Sequence, residues 1–266
     1  MFCNDPYVGL LKQQGYNVVR LPRADFLPLM LLAHEEGKDL SRIGLVSELL
    51  AGAELPTVQT DTIAAGISGK RTAAMHLSLG LNLLGTIVGA MGGGQVGLES
   101  SLQSTRSIVF EFPEVLSDDV SVVQLDKYLG KARIDGTAKY VSQLLDLDDL
   151  YVVTSVLKAR KFTIEANSSS SGSAALDVPA IQEIVGAKVK VSAQSERHSK
   201  ATFEGATPLA FGFQARRLIY AGGDYLKLEP VLAGSVGAKG VDAILGGEGR
   251  VESNMLVLPG AFTRVR

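Results

Sequence analysis

Apolar and polar residues alternate in short runs along most of this chain, and that alternation predicts more strands than helices. Tyr16–Leu21 reads as a first strand stopped by Pro22, and Arg42–Val46 and Thr57–Thr60 read as short strands. Phe26–His34 predicts a short apolar helix or turn around Pro28, ending near Gly37. From Asp61 onward Ile63, Ile67, Ala74 and Leu77 fall on helical faces, with Gly66 and Gly69 opposing them. Ile108, Phe110 and Phe112 alternate with Val109 and Glu111 in a strand that Pro113 ends. Tyr140, Leu144, Leu145 and Leu147 suit an amphipathic helix.

The second half is clearer. Tyr151–Leu157 is rich in β-branched residues and predicts a buried strand, leading into the alternating run Phe162–Ala166. Ser168–Ser173 is a polar loop. Asp177 can cap a helix with Pro179 in its first turn and Ile181, Ile184 and Val185 on one face, until Gly186 stops it. Ala187–Ala193 alternates throughout, as a half-exposed strand should. Phe211–Tyr220 and Tyr225–Glu229 form a hairpin about Gly222-Gly223-Asp224. Many strands, interspersed helices and no βα rhythm predict an α+β fold on a twisted, mainly antiparallel central sheet. Gly246-Gly247-Glu248-Gly249 is the best linker, and it isolates a short apolar tail, Val251–Arg266.

One segment stands apart. Leu77–Leu98 carries no charge and is long enough to cross a bilayer, which takes about 20 apolar residues. Yet Gly80, Gly85, Gly89, Gly92, Gly93, Gly94 and Gly97 weaken it as a helix, at roughly 1 kcal/mol each relative to alanine. It is either a buried helix followed by a glycine loop or a segment that enters lipid on demand.

Composition narrows the classes. Among 266 residues, 46% are apolar and 20% charged, enough for a sizeable core and too apolar for disorder. The net charge of -2 gives no basic excess for nucleic acid. Local basic runs at Lys158, Arg160 and Lys161, at Lys188 and Lys190, and at Arg197, His198 and Lys200 are solvated faces or contacts for anionic headgroups. The single cysteine, Cys3, excludes an internal disulfide and fits a reducing cytoplasm, and the N-terminus does not read as a signal peptide. Cys3 is a packed residue, a reactive thiol, or the carrier of a fatty acyl thioester, which would assist a second membrane signal rather than replace it.

Gly92-Gly93-Gly94-Gln95-Val96-Gly97 matches the GxGxxG pattern of dinucleotide sites. That reading needs Thr86-Ile87-Val88 as the preceding strand and Glu111 or Glu114 as the distal acid. No GxSxG or HExxH motif occurs, His34, His76 and His198 are scattered, and Asp146, Asp148 and Asp149 read as a solvated helix end. No catalytic or metal-ligating set emerges from the residues.

Met1-Phe2-Cys3, Asp5-Pro6 and the run Leu10-Leu11-Lys12-Gln13-Gln14-Gly15-Tyr16-Asn17-Val18-Val19-Arg20-Leu21-Pro22 together resemble the N-terminus of bacterial gasdermins. Pro28-Leu29-Met30-Leu31-Leu32 and Arg42-Ile43-Gly44 continue the likeness, which is strongest over residues 1–50. The resemblance implies a non-enzymatic, pore-forming cell-death protein acting in antiphage defence. It implies a pore-forming domain at 1–245, a cleavable linker at 246–250 and an autoinhibitory peptide at 251–266, with contacts from Met255, Leu256, Leu258 and Phe262. A caspase-like or trypsin-like protease would cut at Gly249 or Arg250, and Cys3 would carry a palmitoyl or similar group in place of any cofactor. A cytoplasmic monomer would thereby become a large homo-oligomer bound to lipid, a β-barrel pore in the inner membrane.

The residues accommodate that expectation. A membrane strand needs about 9–11 residues, so Leu77–Leu98 can supply one hairpin and Phe162–Ala193 a second. Leu77, Leu81, Leu84, Ile87, Val88, Val96, Leu98, Phe162, Ile164, Val189 and Val191 are the membrane-inserting candidates, with Lys188 and Lys190 facing a lumen. Two other readings stay open: a cytoplasmic nucleotide-binding enzyme using Gly92–Gly97, and a non-catalytic binding domain whose apolar tail is its last strand.

Overall fold

Two long antiparallel strands, Leu150–Asn167 and Lys200–Ala221, run side by side through the main sheet, and shorter strands attach to both of their outer edges. The structure, a computed structural model, describes residues 5–34, 40–102, 104–168, 173–193 and 199–231. Cys3, the linker at 246–250 and the whole tail at 251–266 lie outside them.

In chain order the elements are α1 (Pro6–Gln13), β1 (Asn17–Arg23), β2 (Met30–Ala33), β3 (Ser41–Leu45), α2 (Val46–Leu49), β4 (Leu50–Ala51), β5 (Val58–Ile63), β6 (Met75–His76) and α3 (Leu77–Ala90). There follow β7 (Ser107–Glu111), β8 (Leu116–Val120), α4 (Val122–Leu129), β9 (Arg133–Ile134), α5 (Lys139–Asp146), β10 (Leu150–Asn167), α6 (Val178–Val185), β11 (Val189–Ala193), β12 (Lys200–Ala221) and β13 (Asp224–Pro230). Along its outer edge β10 pairs in turn with β2, β8 and β7, all antiparallel. Along the other edge β12 pairs with β11, β1 and β13. The central pair keeps one sense of register from Tyr151↔Arg217 to Glu165↔Lys200, interrupted by bulges.

Burial follows from this position. Leu150 and Val152 face a cluster under α4 and α5 that includes Leu125, Leu129, Leu144 and Leu145. Tyr151, Val153 and Val156 face the opposite layer with Val19, Met30 and Phe213. The first half of β10 is therefore buried on both faces, which is why it reads as a continuous apolar run. Further along, Phe162, Ile164 and Ala166 enter a third cluster, beneath α3 and α6.

The α+β class and the antiparallel sheet are as expected, but several stretches are not. Phe26–His34 holds β2 rather than a helix, because Met30–Ala33 is completely buried and bonded into the sheet beside β10 and β3. Pro22 lies within β1, at the edge of the sheet, where a missing N–H is tolerated. Residues 61–76 form no helix. Their backbone instead docks on the β7–β8 turn, with Ala64 N–H bonded to Val115 O, Gly69 N–H to Phe112 O and Thr72 N–H to Phe110 O. Helix begins only at Leu77.

Candidate membrane-inserting site

Leu77–Leu98 folds as α3 followed by the glycine loop. His76 caps the helix, its Nδ1 accepting from Ser78 N–H at 3.5 Å. At 14 residues and 1.5 Å each, α3 extends for about 21 Å, short of the ~30 Å hydrocarbon core. No helix among the described residues is long and apolar enough to cross a membrane. The glycines of α3 have a packing role as well. A methyl carbon at Gly80 would stand 2.9 Å from Ile108 Cβ, so its absence lets α3 settle on β7. Gly89 leaves room for the amide of Gln95, which folds back from the loop over the helix.

The second segment is β10 from Phe162, then α6 and β11. Asp177 caps α6 as expected, its Oδ1 accepting from Ala180 N–H at 3.1 Å. Gly186 ends the helix with φ +80°. A residue that the sequence did not single out, Gln182, ties α6 to β11. Its amide donates to Gly186 O at 2.9 Å and Val189 O at 3.0 Å, and its oxygen accepts from Val191 N–H at 2.7 Å. Val189 and Val191 are thereby turned inward while Lys188 and Lys190 remain exposed.

The fold brings the two segments together. Leu84, Ile87, Val88, Leu98, Phe162, Ile164, Val189 and Val191 are buried in one cluster, with Leu77 and Leu81 packed on it. Val96 is the exception, at 95% exposure on the loop. Aromatic rings anchor the floor. Phe162 stacks on Phe203 at 4.9 Å and lies 6.1 Å from Phe110, and Phe112 stacks on Phe211 at 4.7 Å. On the far side of the strands, Arg71 pairs with Glu165 at 2.5 Å, and Lys200 reaches Glu165 at 3.4 Å and Glu111 at 3.6 Å. One charge cluster thus spans the chain that flanks the first segment and the strands of the second.

The basic runs divide. Lys158 is turned inward, donating to Asp118 at 2.7 Å and lying 2.9 Å from Asp61. Burial alone would lower its pKa, but its hydrogen bonds to the two carboxylates raise it on balance. Lys161 pairs with Glu204 at 3.3 Å. Asp149, read as part of a solvated helix end, is half-buried 3.7 Å from His34, and burial raises its carboxyl pKa.

The nucleotide reading fails here. The residues before the glycine loop, including Thr86-Ile87-Val88, are helix and not strand, and the loop leads into a 3-10 turn at Ser100–Leu102. Glu111, one of the acids proposed for it, is engaged by Lys200.

An antiparallel sheet thus holds a glycine-rich apolar helix and a second apolar segment in one buried cluster. The sequence profile of the Bacterial Gasdermin Family matches residues 19–230. A gasdermin from a Desulfuromonadales bacterium is 46% identical over 242 residues, 90% of this chain and 91% of that protein. One from Lysobacter enzymogenes is 40% identical over 90% of this chain and 89% of its own. The solved structure of a bacterial gasdermin from Bradyrhizobium tropiciagri superposes with a TM-score of 0.59 over 88% of this chain and 94% of that one, at 17% identity, and so shares the fold. The chain belongs to the bacterial gasdermin family, a family of pore-forming proteins.

Proposed function

We propose that this gasdermin is an autoinhibited monomer in the cytoplasm, released by proteolytic removal of a short C-terminal peptide. It then oligomerises into a β-barrel pore in the inner membrane and kills its own cell in antiphage defence. The observation that supports this best is the shared cluster holding ten apolar residues of two segments, each long enough for a membrane hairpin. Only a closed barrel satisfies the backbone of such strands in lipid, so insertion requires many copies. The cut falls within Gly246–Arg250, after Arg250 for a trypsin-like protease, and Met255, Leu256, Leu258 and Phe262 provide the inhibitory contacts. A fatty acyl group on Cys3 adds membrane affinity after release.

Dye release from liposomes tests the reading. The full-length chain should leave vesicles intact, and the chain ending at Gly249 should empty them. Failure of the shortened chain on every lipid mixture would end the pore reading.

A further inference from the structure

We infer that the glycine loop after α3 is a clasp that caps the end of α6 and so holds the two membrane-inserting segments closed together. The inference rests on the pore-forming reading and concerns what restrains the rearrangement. Gly186 stops α6 just after Val185, so the last carbonyls of that helix lack partners within it. Gly94 supplies one from the other segment: its N–H donates to Val185 O at 2.9 Å.

The approach is so close that only glycine fits. A methyl carbon at Gly94 would lie 2.3 Å from Ile184 O, a backbone atom that cannot swing away. At Gly93 it would meet Val88 Cγ1 at 2.8 Å and Val185 Cγ1 at 3.0 Å, joining α3 and α6 in one contact. The Lys188 side chain lies over Gly92, and Ile184 lies over Gly97. Neither Gly93 nor Gly94 has a left-handed backbone, so these two are glycines for closeness and not for conformation. For α3 and the loop to become strands, Gly94 must leave Val185. For α6 to extend into β11, Val185 must leave Gly94. One seam therefore gates both segments, and its opening commits them jointly.

Gly94→Ala should wedge the seam without requiring a φ that alanine disfavours, and Gly136→Ala is the control, since a methyl carbon there meets nothing within 4 Å. Both changes are made in the full-length chain and in the chain ending at Gly249. Hydrogen–deuterium exchange of the soluble full-length protein should rise in residues 91–98 and 178–193 together, with β10 and β12 protected near Val153 as in the wild type. On vesicles of phosphatidylethanolamine and phosphatidylglycerol, shortened Gly94→Ala should leak about tenfold faster than the shortened wild type, a rate change equivalent to ~1.4 kcal/mol of barrier. Unchanged exchange, exchange rising in the loop alone, or leakage at the wild-type rate would each overturn the clasp. If the shortened wild type does not leak, the pore reading falls instead, and the exchange arm alone decides the clasp. Should Gly94→Ala fail to fold by circular dichroism, Gly93→Ala, opposed mainly by methyl groups, takes its place with the same outcomes and a smaller shift.

Discussion

Asp118 keeps its carboxylate almost wholly inside the sheet, 2.7 Å from Lys158 Nζ and accepting also from Asp61 N–H at 2.8 Å. Lys158→Met would leave that charge buried without a counterion, so we expect a loss of about 3–5 kcal/mol in urea unfolding. Adding Asp118→Leu should recover part of it, and a loss under ~1 kcal/mol for the single change would show the pair to be a surface ornament. Burial also pushes the Tyr151 and Tyr220 hydroxyls up to about 12 and raises Tyr7 and Tyr16. Groups raised in the folded state stabilise it fully below their unfolded pKa and lose that effect as pH climbs to the folded value. Stability should therefore stay level from pH 7 to 9 and decline from about pH 10 upward, where free tyrosine ionises. Urea midpoints that held steady to pH 11.5 would contradict this. The sequence marked Lys158 only as one of a basic run. The Asp61–Asp118 pairing that draws it inward joins three strands, a relation that a linear pattern does not carry.

Among elements, those with strong local signals were legible. Asp177 and Gly186 bound α6 as read, Tyr140–Leu147 coincides with α5, and the Gly222-Gly223 turn joins β12 to β13. The long strands were seen only as pieces, because β10 changes from burial on both faces to alternation halfway along. β2 was missed because its four buried residues owe their conformation to neighbouring strands and not to any local periodicity. α4 was missed despite its Ser121 cap, a signal that was available in the sequence. For α3 the expectation of a weak helix leads to a prediction. A methyl carbon at Gly85 meets Gln95 Oε1 at an ordinary 3.5 Å, so Gly85→Ala should fit and favour helix by up to ~1 kcal/mol. A thermal shift assay should show a higher Tm, and the shortened chain should leak more slowly. Faster leakage would mean that helix stability in α3 does not oppose insertion.

At the scale of the whole molecule, the proposed inhibition would act through apolar side chains of the tail. Burying Leu256, Leu258 and Phe262 would contribute roughly 1.5–3 kcal/mol each before the entropy of ordering them is deducted. Changing all three to Asp should make the uncut protein toxic when expressed. A folded, soluble and harmless triple variant, beside a lethal chain ending at Gly249, would remove these side chains from the mechanism. Intact-mass measurement should likewise find on Cys3 a fatty-acyl increment that hydroxylamine releases; an unmodified mass in every preparation would exclude it.

The sheet also joins the two ends of the described chain. Tyr7 Oη donates to Phe211 O across 204 residues, and β1 bonds to β12 at Asn17↔Phe213. During synthesis at about 5–20 residues per second, the N-terminal segment waits roughly 10–40 s for the partners that fix it in place. For that interval α1 and β1 lack the neighbours that hold them in the finished sheet. The acylation proposed for Cys3 would then have a window on the nascent chain, before the resting fold has formed.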